Sequence, residues 1–517
     1  MADNPHKISK IIGPPGTGKS TRVLALIAKA CERYDPERIG AISYTNSAVN
    51  TIRERIARTT GVSPDAAENA KTLHSHCFKL LELKKDDVAD TKIEEWNEAY
   101  PQWELPLRFK PTEEEGDIVL NSHQTMENRM FFAEMQLLRN RMVPKDKWPA
   151  YVREFWEDWK WWMEMNGYID FTGMLEEVAA RGLHPPIDIL FIDEAQDASH
   201  LMFEILRQWS EHTISTLYVG DSDQAIFRWN GASPEGFMGL EATYNKVLEQ
   251  SYRVPKAVHR YAMQVIGQAK DREVVQYNPT DMEGEFFGKQ KEPDLGLDGT
   301  HMIIARCQHQ LNRWRTYLKF HGIPWHNPYR PEDTAWNPLN SKTWRAAQTY
   351  VTLKNGEDVS RGQFSEMIKL MKVKGNLLRG VKTAISDLTL PRRISAFELG
   401  SLRVFEENFL FFEKPVTEVI NPSGVAGEFL FKVSEQDVLK EPEIIIGTCH
   451  SVKGGESDHV WLDMGTSTQI EKAITYSKTG RDDEVRVAYV AATRAKETLG
   501  LLTPQGMENS VIPKDVE

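Results

Sequence analysis

The stretch Ile8-Ser9-Lys10-Ile11-Ile12-Gly13-Pro14-Pro15-Gly16-Thr17-Gly18-Lys19-Ser20 decides how the chain begins to fold. It opens as a short β-branched run, passes into the pattern GxxxxGK[ST], and leads into residues 21–31, a helical pattern. A strand, a glycine-rich turn and a helix in that order form a phosphate-binding loop. Gly13, Gly16 and Gly18 let backbone N–H groups close around phosphate oxygens, Lys19 adds a point charge, and the Ser20 hydroxyl can ligate magnesium. Thr17, Thr21 and Arg22 complete the expected nucleotide-binding set.

Working outward, short apolar runs recur at 187–192, 214–219, 302–305 and 443–446 and read as buried parallel strands. Helical patterns at 47–56 and 255–266 follow strands, which is the alternation of an α/β sheet. Ligands in such sheets sit at the carboxyl ends of the strands. One of those ends carries Asp193-Glu194-Ala195-Gln196-Asp197 after Leu190-Phe191-Ile192. Alone, an Asp-Glu pair is usually a solvated strand end. Beside a phosphate loop, Asp193 is expected to hold magnesium through water and Glu194 to polarise an attacking water. The residues therefore imply a magnesium-dependent nucleoside triphosphatase.

A chain of 517 residues exceeds one ordinary core, so several domains are expected, some inserted into others. The formal charge of -12 excludes a histone-like blanket of positive charge while leaving room for a local basic groove. Cys31, Cys77, Cys307 and Cys449 are scattered without a CxxC pair, which argues against a disulfide framework or a zinc or iron-sulfur centre. Residues 1–10 lack an apolar signal core, and no run is long and uncharged enough to span a bilayer. The expectation is a soluble cytoplasmic protein, nucleoid-associated or phage-encoded, with no membrane contact. Two stretches interrupt the alternation, a charged, Trp-rich one at 84–168 and a polar one at 331–440, and both read as insertions. Within the first, Phe155, Trp159, Trp162 and Met163 share a helical face assigned to core, leaving Trp156 and Trp161 as the exposed candidates.

The run Val219-Gly220-Asp221-Ser222-Asp223-Gln224-Ala225-Ile226-Phe227-Arg228-Trp229-Asn230-Gly231-Ala232 resembles the GDxDQSIYxWRGA segment of superfamily 1A helicases of the UvrD, Rep and PcrA group. The resemblance extends, in the family's order, through Ser43-Tyr44-Thr45-Asn46, Thr72-Leu73-His74-Ser75, the Asp193–Asp197 run and Gln250-Ser251-Tyr252-Arg253. It continues through residues 448–456 (TCHSVKGGE) and 489–495 (YVAATRA).

This resemblance implies two RecA-like P-loop NTPase lobes, each an α/β layer with an inserted subdomain. Lobe 1A would comprise 1–84 and 169–250, with 1B at 85–168; lobe 2A would comprise 251–330 and 441–517, with a reduced 2B at 331–440. ATP would bind with Mg2+ on Ser20 and Asp193, with Lys19, Glu194, Gln224, Arg253 and Arg494 as the catalytic set. Gln224 would sense the γ-phosphate, and Arg253 and Arg494 would act as cis arginine fingers. Tyr252 would stack on adenine and Glu456 would reach the ribose. Tyr44, Phe227 and Trp229 align with aromatics that hold bases, and Thr45, Asn46, His74, Thr448 and His450 with positions that touch the strand backbone or couple it to ATP.

The implied activity is an ATP-driven helicase moving 3′ to 5′ on single-stranded DNA and opening duplex at junctions. It would act as a monomer alongside replication or repair proteins. The chain departs from the family pattern at four places. Residues 1–12 hold no glutamine to read adenine, GPPGTGKST is closer to superfamily 1B loops, Asn230 stands where the family has arginine, and the second insertion is short. A 5′ to 3′ enzyme of the 1B type and an ATP-gated factor that displaces proteins without processive unwinding remain alternatives, as does an RNA translocase. The few residues after Arg494 leave no expected room for a fused nuclease.

Overall fold

The computed structural model describes residues 7–44, 46–61, 68–107, 123–331, 336–385, 390–396, 399, 402, 404–406, 413–477 and 479–514. The chain divides into two compact units. One comprises Met1–Glu285, Ser467–Glu497 and Asn509–Glu517, the other Phe286–Thr466 and Thr498–Glu508.

The first unit is built on a six-stranded sheet of β1 (Lys7–Ile12), β2 (Ile39–Ile42), β3 (Ala70–Lys71), β4 (Ile189–Ile192), β5 (Ser215–Gly220) and β6 (Tyr244–Val247). Their order is β3-β2-β4-β5-β1-β6, and each pairing is parallel. Parallel neighbours require crossovers, and helices supply them: α1 (Lys19–Cys31), α2 (Asn46–Thr60) and α3 (Leu73–Leu80) follow β1, β2 and β3. Side chains alternate across the sheet as the pleat demands. Ile11, Phe191 and Val219 meet Val23 and Ile27 on one face, whereas Ile12, Leu190 and Ile192 meet Leu175, Leu206 and Trp209 on the other.

Between β3 and β4 the chain forms α4 (Ile93–Ala99), α5 (His123–Asn140), α6 (Ala150–Asn166) and α7 (Phe171–Arg181). Trp96, Phe132, Phe155, Trp159 and Trp162 close a separate aromatic core there, with Trp96 edge-on to Trp159 at 4.9 Å. Trp161 is 57 % exposed, as its helical face predicts, but Trp156 is buried. The reason is cationic cover: the Arg139 guanidinium lies 4.5 Å and the Lys145 ammonium 4.6 Å from the ring centroid. Arg139 also pairs with buried Asp170 at 2.5 Å and with Glu176 at 2.8 Å, tying α5 to α7.

After β4 come α8 (His200–Glu211), α9 (Pro234–Met238) and α10 (Lys256–Ile266). The helix Gly480–Ala492 packs on α10 within the same unit.

The second unit contains β7 (Glu285–Gln290), β8 (His301–Ala305), β9 (Trp325–His326), a small antiparallel pair of β10 (Val359–Ser360) and β11 (Arg393–Ile394), then β12 (Ile444–Thr448), β13 (Ser457–Asp463) and β14 (Ala495–Leu502). Its larger sheet runs β7-β14-β13-β8-β12-β9, with β13, β8, β12 and β9 parallel. Trp336, Trp344, Tyr350, Phe364 and Phe429 pack into one core with Ile303, Ile446 and Trp461 of that sheet. The fold is thus α/β, two sheets of parallel strands flanked by helices, as the sequence implied. The predicted strands at 8–12, 187–192, 214–219, 302–305 and 443–446 coincide with β1, β4, β5, β8 and β12 within two residues at each end.

Candidate nucleotide site and strand-binding face

Strand register assembles the site. Ile12 pairs with Gly220, and Ile192 with Tyr218, so β1, β5 and β4 end side by side. Gly13, Asp221 and Asp193 therefore leave the carboxyl end of the sheet together, although Gly13 lies far along the chain from the two acids. The Gly13 N–H donates to the Gly220 carbonyl at 3.0 Å, which fixes the start of the phosphate loop.

The loop holds its open form through its own atoms. Lys19 Nζ donates to the Gly13 carbonyl at 2.6 Å, and Thr17 Oγ1 donates to the Pro14 carbonyl at 2.8 Å. Gly18 caps α1 in the left-handed region at φ 77°, with open space where a Cβ would stand. Ser20, Thr21 and Arg22 are exposed on the first turn of α1. Unpaired N–H groups at a helix start beside a buried lysine suit a polyphosphate.

Opposite the loop, Asp193 is buried, and burial together with adjacent Glu194 pushes its carboxyl up to about 7 against the opposing pull of Lys19. Crowded acids short of positive charge, beside an exposed serine hydroxyl, form the oxygen donor set that magnesium takes when phosphate oxygens and water complete its shell. Among the described residues no three His, Cys, Asp or Glu side chains converge as a metal cage. Glu194 adopts φ 53°, a left-handed conformation that costs a non-glycine residue about 1–2 kcal/mol.

Gln196, present in the quoted run but given no role, stabilises that turn. Its Nε2 donates to Glu194 Oε2 at 2.5 Å, and its Oε1 accepts from the Asp221 N–H at 3.0 Å. Gln224 is buried, and its Nε2 donates to Asp221 Oδ2 at 2.6 Å. Arg494 is 2 % exposed; its Nε donates to the Val490 carbonyl at 2.8 Å and its Nη2 reaches Gln224 Oε1 at 3.5 Å.

Two further arginines were not legible as site residues. Arg272 forks onto Asp223 at 3.0 and 2.5 Å, and buried Arg486 donates through Nε to the Ser222 carbonyl at 3.1 Å. Arg486 lies in the helix that ends just before Arg494, a signal that spacing could have offered; Arg272 gave none.

The segment 250–254 docks on the phosphate loop. The Tyr252 N–H donates to the Gly16 carbonyl at 2.8 Å, and Ser251 Oγ donates to the Pro15 carbonyl at 2.8 Å. A Cβ added at Gly16 would lie 2.5 Å from Arg253 Cβ, so that glycine permits the approach. The Tyr252 ring is 77 % exposed beside the loop, available for stacking.

On the strand side, Phe227 and Trp229 are half-buried, with ring centroids 6.4 Å apart at 62°. Arg228 points away from them and pairs with Glu235 at 2.5 Å and Asp483 at 3.0 Å, while Asn230 is exposed. Tyr44 is half-buried against the core, and its hydroxyl is buried with no hydrogen-bond partner among the described residues. Burial, followed by Asp197, Tyr218 and Asp193, raises that phenol well above its ordinary range. His74 lies edge-on to Phe171 at 6.0 Å, and burial lowers its imidazole to about 4. Thr45 and the side chain of Asn46 lie outside the described residues.

In the second unit Thr448 and His450 are buried and Glu456 is exposed. Asn327 Nδ2 braces their turn by donating to the Ile446 carbonyl at 3.0 Å and to Ser451 Oγ at 3.3 Å.

Comparison with known proteins matches this arrangement to one family. The profile of the UvrD/REP helicase N-terminal domain matches residues 2–245, and that of the UvrD-like helicase C-terminal domain matches residues 425–505. A probable DNA helicase II homolog of Mycoplasma capricolum is 24% identical over 78% of this chain and 59% of its own length. A probable DNA helicase II homolog of Mycoplasma pneumoniae is 21% identical over 96% of this chain and 82% of its own. The ATP-dependent DNA helicase PcrA of Bacillus subtilis is 25% identical over 50% of this chain and 37% of its own. The chain thus spans between about four- and eight-tenths of the length of these relatives. With the phosphate loop, the Asp193–Glu194 pair, the Gln224 turn and Arg494 gathered at the carboxyl end of one sheet, the chain belongs to the UvrD/REP helicase family, in its superfamily 1A branch.

Proposed function

We propose that the protein is an ATP-dependent DNA helicase that moves 3′ to 5′ along single-stranded DNA and opens duplex ahead of it. The observation that carries this reading is the segment 221–231. Its first half places Gln224 between Asp221 and Arg494, and its second half presents Phe227 and Trp229. A group suited to the γ-phosphate, Gln224, and an aromatic suited to a base, Trp229, are thus separated only by residues 225–228.

Lys19 and the loop N–H groups bind the triphosphate; Ser20 and Asp193 would hold Mg2+, which would supply neutralisation of phosphate charge. Glu194, aimed by Gln196, orients and deprotonates the attacking water. Arg494 and Arg253 offset negative charge on the transferred group. Tyr252 stacks on the base of ATP, and Glu456 reaches its ribose. When the γ-phosphate leaves, Gln224 loses its partner and the grip at Trp229 changes, which couples hydrolysis to movement along the strand. Tyr44, Thr45, Asn46, His74, Thr448 and His450 contribute the remaining strand contacts.

The names of the relatives, DNA helicase II and PcrA, support DNA as substrate. No helix among the described residues is long and apolar enough to cross a membrane. The test is ATPase rate with and without single-stranded DNA, then unwinding of duplexes with a 3′ or a 5′ overhang. DNA-stimulated hydrolysis with unwinding from the 3′ overhang is expected. Unwinding only from the 5′ overhang would reverse the polarity, and stimulation with intact duplex would leave a displacement factor.

A further inference from the structure

A cleft of about 940 Å³ opens in the first unit where α3, α7 and residues 82–91 converge. Its volume falls in the range of about 300–1,000 Å³ that encloses small ligands. Phe78, Leu83, Phe171 and Met174 line it with apolar surface, Arg53, Lys71, Lys79 and Lys85 stand around it with Glu82 as the acid among them, and His74 and Ser75 of the 72–75 motif also face it.

That charge is uncommon in this molecule. The chain carries a formal charge of -12, and many of its exposed cations are neutralised locally, as Arg207 is by Glu204 and Glu211. Around the cleft, Lys79 pairs with Glu68 at 2.5 Å, but Lys71 and Lys85 have no ion-pair partner among the described residues. Arg53 spends its Nε on the Ala70 carbonyl at 2.9 Å. Burial first, then the charge of Lys79, depress the Lys71 ammonium against the opposing pull of Glu68, with Arg53 adding to the fall, so an arriving anion would favour its charged form. Aromatic faces beside a group of cations that outnumbers its acids suit a flat heterocycle that carries phosphate.

The cleft also adjoins the strand-binding segment. Phe171 precedes Thr172, whose Oγ1 accepts from Asn140 Nδ2 at 3.1 Å, and Asn140 Cβ lies 3.1 Å from where a Cβ on Gly231 would stand. Gly231 is two residues beyond Trp229.

We propose that this cleft takes a nucleoside phosphate unit of the single strand, its base against Phe171 and Phe78 and its flanking phosphates on Arg53, Lys71 and Lys85. The assignment rests on the strand-translocase reading and extends the track from His74, which the family resemblance already places on the strand, to Arg53, Lys71, Lys85, Phe78 and Phe171, which it does not assign. A free nucleotide shares the same chemistry, and the arms of the test separate the two.

The experiment uses the full chain with fluorescent oligothymidylate, and the dissociation constant is measured across salt concentrations. For the double variant Lys71→Ala/Lys85→Ala, the slope of log Kd against log salt should fall by about 1.4, two phosphate contacts at about 0.7 each, with affinity down about 10-fold. Phe171→Ala should weaken binding about 10-fold. Photocrosslinking of wild-type protein to 4-thiothymidine strands needs no variant to fold, and adducts are expected on peptides holding residues 71–85 or Phe171.

If wild type binds strands and adducts fall only on the 227–229 peptide, with slope and affinity unchanged in the variants, the cleft assignment is overturned while the strand reading stands. If wild type binds no strand at all, the strand reading itself fails. Labelled dAMP that occupies wild type and is lost from the double variant, while strand affinity is unchanged, would make the occupant a free nucleotide and overturn the proposal.

Discussion

Gln196 Nε2 donates to Glu194 Oε2 at 2.5 Å while the other end of the same carboxamide accepts from the backbone N–H of Asp221. One buried side chain therefore sets the direction of the proposed water-activating carboxylate and ties it to the turn that carries Gln224. Gln196→Ala removes both of these bonds. We expect kcat for ATP to fall by about 10-fold or more with KM little changed, measured by steady-state hydrolysis. Glu194→Gln should still bind a fluorescent ATP analogue but turn over about 100-fold more slowly or worse. Ordinary turnover in that variant would remove Glu194 from its role.

Arg494 is buried and reaches Gln224 even with the lysine of the phosphate loop folded onto Gly13. Arg494→Ala should lower kcat by about 1,000-fold, the scale of a lost arginine finger, while nucleotide affinity changes far less. A rate within a few-fold of wild type, read by phosphate release, would show that the guanidinium serves the fold alone.

Gly16 sits at φ 72° with the Arg253 side chain closing over it. Gly16→Ala combines a left-handed alanine, costing about 1–2 kcal/mol, with a Cβ 2.5 Å from Arg253 Cβ. The segment 251–253 should be pushed off the loop and ATP affinity should fall about 10-fold. Titration with a fluorescent ATP analogue measures this, and an unchanged affinity would mean the loop does not need that contact.

Trp229→Ala removes the larger ring of the 227–229 pair. A stacked base contributes about 1–3 kcal/mol, so the DNA concentration for half-maximal ATPase stimulation should rise about 10-fold or more, with a smaller change in the DNA-free rate. Equal stimulation at equal DNA would argue that the ring is core.

His76 is buried, donates through Nε2 to the Asn69 carbonyl at 3.2 Å and lies edge-on to Trp209 at 5.5 Å. Burial lowers its imidazole from 6.5 to about 4. The unfolded chain takes up the proton first as pH falls below about 6.5, so stability held above that value is lost progressively toward pH 4. At about pH 5 the loss from this group is on the order of 2 kcal/mol. Urea unfolding followed by tryptophan fluorescence at about pH 7.5 and about pH 5 should show the drop, and His76→Gln should lessen it, with buried His74, whose imidazole is lowered alike, keeping the remainder.

The site was legible in the sequence wherever chemistry is carried by adjacent residues. Lys19 and Ser20 follow their glycines and Asp193 and Glu194 end an apolar strand, so local order gave their roles as expectations, whereas Gln224 and Trp229 took theirs from the resemblance of the 219–232 run to the helicase family. The strand positions were readable for the same reason, since a buried parallel strand must be a short continuous apolar run. Burial of Trp156 was not, because the two cations that cover it come from α5 and from the turn after it.

What the tertiary structure alone decided is which distant segments meet. Sheet order β3-β2-β4-β5-β1-β6 brings Gly13, Asp193 and Asp221 together at the carboxyl end of the sheet, sets Arg272 on Asp223 and Arg486 on Ser222, and gathers Arg53, Lys71, Lys85 and Phe171 around one cleft. Periodicity and motif spacing report a residue's near neighbours along the chain. Pairing between strands that are not consecutive is settled by how their buried faces pack, and no local pattern carries that information.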